Sequence, residues 1–283
     1  MYLNFIKRNI QIYLKDKTGI FFSLLGMLIS LIIYVFFLRS NLISSLSGIG
    51  HVNKLVDIWM IAGLISIVSM TTPLNAFGQK LEDKKNNRLN DFVVNNNFSL
   101  ASLDTLYVIT AIIEGVFSTI IFMFICFGYL YMQYKESLFN SDVLVVIFYS
   151  MLLIIFSSLL FSLITSWLTS TSSFSSLSAI VGTLAGFFSG TYIVYGDLPN
   201  FMQQVLDVWP GFQIAATIRN KMLGLTGVNV PKNVLDSLGV VSNSETAILI
   251  TLIAMAICVV FSFLIIMMSK KNSWFVRNCL CNS

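Results

Sequence analysis

A single histidine, His51, stands in a chain of 283 residues. That scarcity excludes an H-E-x-x-H metal site and leaves a Ser–His dyad without its usual surroundings. His51 falls in the first loop, with no partner residues around it, and reads as a solvated side chain. The sequence contains no G-x-x-x-x-G-K-[ST], so the chain has no phosphate-cradling loop of its own. Of four cysteines, Cys126 and Cys258 lie within apolar stretches, and Cys279 and Cys281 form a C-x-C near the end. Without nearby histidines that pair is a poor zinc site, and all four read as structural or incidental. Nothing points to catalysis, to a metal or to a cofactor held by this chain.

Charge is also thin. Charged residues make up 11% of the sequence, against roughly a quarter in soluble proteins. The net charge of +4 is spread over loops and leaves no footprint for nucleic acid. What fills the chain is apolar: 56% of residues, including 24 phenylalanines. Ile20 to Leu38 runs 19 residues without a charge, roughly 28 Å of helix against a hydrocarbon core of about 30 Å. Comparable runs place six transmembrane helices at about 20–38, 58–78, 106–134, 143–168, 174–196 and 246–269. The fold expected is an all-α integral membrane protein forming a single transmembrane domain over 1–283, with an N-terminal interfacial helix and a short re-entrant hairpin before the last span. Arg39-Ser40-Asn41 is no small-residue cleavage site, so the first span is expected to stay.

Lysine and arginine set the orientation. With the N-terminus inside, eleven of them lie on inner segments: Lys7, Arg8, Lys15, Lys17, Lys80, Lys84, Lys85, Arg88, Lys270, Lys271 and Arg277. Six lie outside: Arg39, Lys54, Lys135, Arg219, Lys221 and Lys232. Both termini are therefore expected in the cytoplasm.

Three segments between the spans carry further signal. In residues 2–15, Tyr2, Leu3, Ile6, Ile10, Tyr13 and Leu14 share one helical face, with Asn4, Lys7, Arg8, Gln11 and Lys15 opposite. Such a helix suits the inner headgroup layer, its basic face toward anionic lipid. The segment 79–105 is the most charged. Leu81, Leu89, Phe92 and Val93 can share a face, Glu82, Asp83, Lys84, Lys85 and Arg88 are expected to be largely solvated, and Asn95-Asn96-Asn97 ends the helix. Periodicity alone leaves open a solvated loop or a docking element. On the outer side, Leu198 to Trp209 and Phe212 to Leu225 are each too short to cross, and Pro210-Gly211 favours a reversal between them. Together they suggest a plug or gate, with 226–245 as an exposed polar loop.

Within the spans, Glu114 is the one acidic residue well inside, roughly 12 Å along the third helix. It reads as a pathway contact, or as a buried carboxyl that pairs with a neighbouring Ser, Thr or Asn or snorkels inward. One carboxylate makes no relay, which argues against a proton- or sodium-driven transporter. Gly182, Gly186 and Gly190, at four-residue spacing, form a groove for close helix packing within the chain or between copies.

Taken in order, these features resemble the ABC-2 type permeases, membrane subunits of one class of ABC exporter. The likeness lies in an amphipathic helix leading through Lys15-Asp16-Lys17 into Phe21-Phe22-Ser23-Leu24-Leu25. It extends to Gly78–Asn97, similar to the family's Gly…Glu/Asp-Asp-Lys…Asp-Phe-Leu-Val stretch, and to Leu198-Pro199 through Pro210 to Arg219. Where the family often carries Pro-x-Ser-His, this chain has Pro210-Gly211-Phe212-Gln213. The resemblance implies that Glu82, Asp83, Lys84, Lys85, Arg88, Asp91 and Phe92 belong to a coupling loop that docks on a separate ATP-binding subunit, where ATP and Mg would sit. It implies short outer helices at Pro199, Trp209, Pro210 and Gly211, and a second permease copy as partner. The function expected is the permease half of an exporter in a bacterial cell membrane, moving amphipathic or lipid-linked cargo, drugs or peptides. The alternatives are a non-transporting immunity or scaffold protein, a secondary transporter and, more distantly, an intramembrane enzyme.

Overall fold

Apolar residues repeated without interruption favour helices long enough to satisfy all their backbone groups internally. The structure, a computed structural model, describes residues 2–45, 50–96, 98–135, 141–224, 230–240 and 243–281. Among these residues there are thirteen α-helices and no strand. An N-terminal helix, α1 (Tyr2–Lys15), precedes α2 (Lys17–Ile33), which passes through a π-helical turn at Tyr34–Leu38 into α3 (Arg39–Ser45). Then follow α4 (Val52–Thr71), α5 (Leu74–Lys85), α6 (Arg88–Asn96), α7 (Leu100–Tyr134), α8 (Ser141–Ser166) and α9 (Thr171–Phe188). The chain finishes with α10 (Asn200–Val208), α11 (Pro210–Gly224), α12 (Lys232–Ser237) and α13 (Ser244–Cys281).

Among the described residues, six helical stretches are long and apolar enough to cross a membrane: Lys17–Ser44, Val52–Lys85, Ala101–Tyr134, Val143–Ser166, Thr171–Phe188 and Ser244–Ile265. The number matches the sequence reading, and the bounds shift. The second stretch begins at Val52, before the expected 58, and continues past Thr72-Pro73 as α5. Pro73 has no N–H to donate, which marks the break between α4 and α5. The start of the expected inner loop is therefore helix. Ser170 caps α9 through Ser173 N at 3.1 Å, and the helix stops at Phe188 rather than 196. The side chains of Lys270, Lys271, Arg277, Cys279 and Cys281 lie outside the described residues, as does Asn97.

The centre of the bundle is α4, buried along almost its whole length and packed by α7, α8, α9 and α11. Its Ser66, Ser69 and Thr72 are buried, and each hydroxyl donates to the carbonyl four residues back at 2.8–2.9 Å. Hydroxyls paired this way cost little inside an apolar bundle. By contrast α2, α9 and α13 bury little of their length and form the outer faces. The segment expected as a re-entrant outer hairpin divides in character. Only Leu206 of α10 is buried, whereas α11 is buried over most of its length against α4, α8 and α13. The reversal comes at Trp209, extended at φ −86° and ψ 119°, one residue before Pro210 opens α11. Proline suits that first helical position because its missing N–H would have no partner there. Nor is 226–245 merely an exposed polar loop: α12 forms there, and Leu238 and Val240 are buried.

The three glycines do not make one groove. A Cβ at Gly182 would meet nothing. One at Gly186 would strike the ring of Tyr192, and Gly190 lies past the end of α9 at φ +62° against Phe212. A left-handed residue after a helix is where glycine is favoured. Two of the three therefore serve packing inside the chain. Gly186→Ala should lower the unfolding stability by about 1–3 kcal/mol, whereas Gly182→Ala should leave it within about 0.5 kcal/mol. Thermal unfolding in detergent checks both.

Candidate functional site

A carboxylate without exposed surface needs its charge met on every side. Asp83, expected to be solvated, is such a residue. It lies near the end of α5 on the same stripe as Ala76 and Lys80, which are also buried. Arg8 of α1 reaches it with both Nη atoms, at 2.9 Å to each carboxylate oxygen. Tyr107 of α7 donates its hydroxyl at 2.7 Å, Gln79 its Nε2 at 3.2 Å, and Arg88 of α6 stands at 3.5 Å. Four helices thus meet at one carboxylate. The Asp83 hydrogen bonds raise the pKa of Arg8 above its ordinary value against the opposing effect of burial, so the guanidinium stays charged. Arg8 therefore does not face lipid, although the basic face of α1 was read that way.

An aromatic cluster seats the same end. Phe5 of α1 packs edge-on to Phe92 at 5.1 Å and to Tyr107 at 5.3 Å, and Arg8 lies over the Phe92 ring at 5.2 Å. Leu89, Phe92 and Val93 turn toward this cluster. Lys80 pairs with Asp104 of α7 at 2.8 Å, and Lys84 Nζ donates to the Leu168 carbonyl at 3.2 Å. With one face of α5–α6 held so tightly, the other is left free. Glu82, Lys84, Lys85, Arg88 and Asp91 are exposed, and Val94, one turn beyond Asp91 on α6, is 79% exposed. The structure thus splits the expected coupling residues. Asp83 and Phe92 turn inward, Lys84 and Arg88 are exposed yet tied to the Leu168 carbonyl and to Asp83, and Glu82, Lys85 and Asp91 are exposed.

Two polar sites escaped the sequence reading. At the opposite end, Asp57 is wholly buried and bound by Arg39 at 2.8 and 3.1 Å and by the hydroxyls of Tyr34 and Tyr134. An acidic and a basic residue at facing ends of two spans joined by a short loop was the available signal. Arg219, assigned to an outer segment, is fully buried in α11. Its Nη2 lies 3.0 Å from Ser189 O, 2.9 Å from Gly190 O and 3.0 Å from Thr191 Oγ1, and its guanidinium sits 4.8 Å over Trp59. Carbonyls after a helix C-terminus carry partial negative charge that suits a cation. Arg219 thereby ties α11 to the end of α9. An arginine within an otherwise apolar stretch marked it.

The remaining expected residues spread along one side. Pro199 precedes α10, and Trp209 packs against Phe156 and Phe188 at 5.6 and 5.4 Å, with Gly211 close beside its indole. Glu114 is buried at 4% exposure, and its Oε2 has no hydrogen-bond partner. It lines the first of three cavities, of about 240, 280 and 350 Å³, running from the α1 end to the opposite end. Asn75 is common to the first two, and Ser30, Leu64 and Tyr192 to the last two. Together they form a furrow along α2, walled by α9 in the first two and by Thr191, Tyr192 and Val194 after α9 in the last.

The family model for ABC-2 type transporter matches residues 2–223, more than half of the chain. No curated protein gives a match. Because Asp83 is buried and charged, Arg8→Ala should destabilise the protein by about 3 kcal/mol. Glu82→Ala and Lys85→Ala, on the exposed face, should each change it by less than about 0.5 kcal/mol. Denaturant titration in detergent checks the contrast.

Proposed function

Because the chain belongs to the ABC-2 type transporter family, we propose that it is the permease subunit of an ATP-driven exporter, paired with a separate ATP-binding subunit and a second permease copy. Membership makes it a multi-pass membrane protein and a transport component, and implies an ABC ATP-binding subunit as partner. The observation that carries the finer reading is the exposed ridge Glu82, Lys84, Lys85, Arg88, Asp91 and Val94, seated by the Asp83 cluster. A partner docking there pushes on α1, α5 and α7 together, because the same carboxylate holds all three. In this reading the α1 end and both termini face the cytoplasm, in keeping with its excess of lysine and arginine, and the membrane is the bacterial plasma membrane.

The furrow along α2 and α9 supplies a path, and a second copy set against those sparsely buried helices would close it. Its walls are mostly apolar, with scattered hydroxyls and amides and, at the α1 end, the carboxyls of Asp16, Glu82 and Glu114, which suits amphipathic or lipid-linked cargo, drugs or peptides better than small ions. ATP and Mg belong to the partner. Alternation between inward-open and outward-open arrangements follows if the two present different docking surfaces to the ATPase. In this scheme α11, held to α9 by Arg219, acts as the outer gate with the turn at Trp209.

The test is co-purification. The chain should bring down an ABC ATPase encoded nearby, and charge reversal at Lys85 and Asp91 together, with thermal unfolding unchanged, should lower recovery at least about tenfold, a loss of about 1.4 kcal/mol. A complex without such a partner, and export unchanged by the reversals, would sink the proposal.

A further inference from the structure

The cavity of about 240 Å³ at the α1 end lies among α1, α2, α5, α7 and α9. Asp16, Glu82 and Glu114 line it, and no lysine or arginine does. Asp16 is engaged, its Oδ1 accepting from Gly19 N at 2.8 Å at the start of α2. Glu82 is exposed. Tyr13 also lines the cavity, with its hydroxyl bonded to Ser118 Oγ at 2.8 Å. Glu114 and Asn9 differ from these. Glu114 Oε2 is buried without a partner. Asn9, only 1% exposed, accepts from Arg8 Nη1 at 2.8 Å through Oδ1, and its Nδ2 has no partner.

Buried polar groups are nearly always hydrogen-bonded, so two unsatisfied ones on a single cavity describe what would complete it. Glu114 calls for a cation or donor, and Asn9 Nδ2 for an acceptor. Among the described residues no three of His, Cys, Asp and Glu come close enough to hold a metal ion. A dehydrated metal ion needs more oxygen ligands than one buried carboxyl supplies, so an organic ammonium suits the cavity better. Ile12, Ile20 and Phe174 give the same cavity an apolar wall, and beyond Asn75 the next cavity is lined by Met27, Leu64 and Val181.

We propose that this cavity binds the protonated amine head of an amphipathic molecule, with Glu114 facing the ammonium and Asn9 donating to an acceptor beside it. A charge-assisted hydrogen bond in a buried site is strong, and the ligand's tail would follow the apolar furrow. That this molecule is cargo rests on the exporter reading. Binding itself does not.

The test uses the full chain in lipid nanodiscs with no ATP-binding subunit present. Three fluorescent probes share a dansyl group and a six-carbon chain and end in an amine, a hydroxyl or a carboxylate. After subtraction of empty nanodiscs, the amine probe should bind saturably and about tenfold or more tighter than the other two. Glu114→Gln, checked for unchanged thermal unfolding, should reduce the amine probe to the affinity of the hydroxyl probe. Glu82→Gln, at an exposed position where folding is not at stake, should weaken the amine probe by about two- to threefold. Equal binding of the three probes overturns the proposal, as does an amine preference that survives Glu114→Gln. Should that variant not fold, an unchanged preference in Glu82→Gln overturns it. If amine binding is present but the assembled complex moves no probe with ATP, the site stands and the exporter reading falls.

Discussion

An ionised aspartate cannot remain in an apolar bundle unless neighbours answer its charge, and at Asp83 four helices do so. Arg8, Tyr107, Gln79 and Arg88 converge on two oxygens, bringing α1, α6 and α7 to the end of α5. The aromatic packing of Phe5, Phe92 and Tyr107 then fixes which face of α6 turns in. Because the inward face is spent on this cluster, the outward face is left as a charged ridge with Val94 exposed on α6. The exposed surface proposed for docking is in this sense a consequence of one buried charge.

The opposite end uses the same chemistry for a different purpose. Asp57 joins the end of the first span to α4 and α7 through Arg39, Tyr34 and Tyr134, while Arg219 joins α11 to the chain leaving α9. Between these two polar ends, α4 runs almost wholly buried. A push at one end therefore acts on a rigid centre. The cavities along α2 and α9 lie on the side where packing is sparse, which is where rearrangement costs least.

The six long helices were legible because lipid imposes one rule on every spanning segment: uninterrupted apolar length. The charged ridge was legible as a segment for a similar reason, since charges at Lys84, Lys85 and Asp91 have no place at membrane depth. Pairing was not. Arg8 and Asp83 are 75 residues apart, and periodicity within one helix says nothing about a partner on another. The sequence groups Asp83 with Glu82, Lys84, Lys85 and Arg88, away from the apolar face of Leu81, Leu89, Phe92 and Val93, and so predicts it solvated. Only the continuation of α4 through Pro73 into α5 reveals that Ala76, Lys80 and Asp83 share a stripe. The glycines misled for the opposite reason: regular spacing suggested one groove, but α9 ends before Gly190, and Tyr192 folds back onto Gly186. Arg219 was counted as an outer cation because its helix is too short to cross, although a short helix can still be buried in protein.

The central claim is that the ridge on α5–α6 is where an ATP-binding subunit docks. A photo-crosslinking amino acid placed at Val94, on the ridge, and at Phe201, exposed at the opposite end, tests it in intact membranes. The account predicts an ATPase adduct from Val94 and none from Phe201. An adduct from Phe201, or none from Val94 while the ATPase is bound, would contradict it.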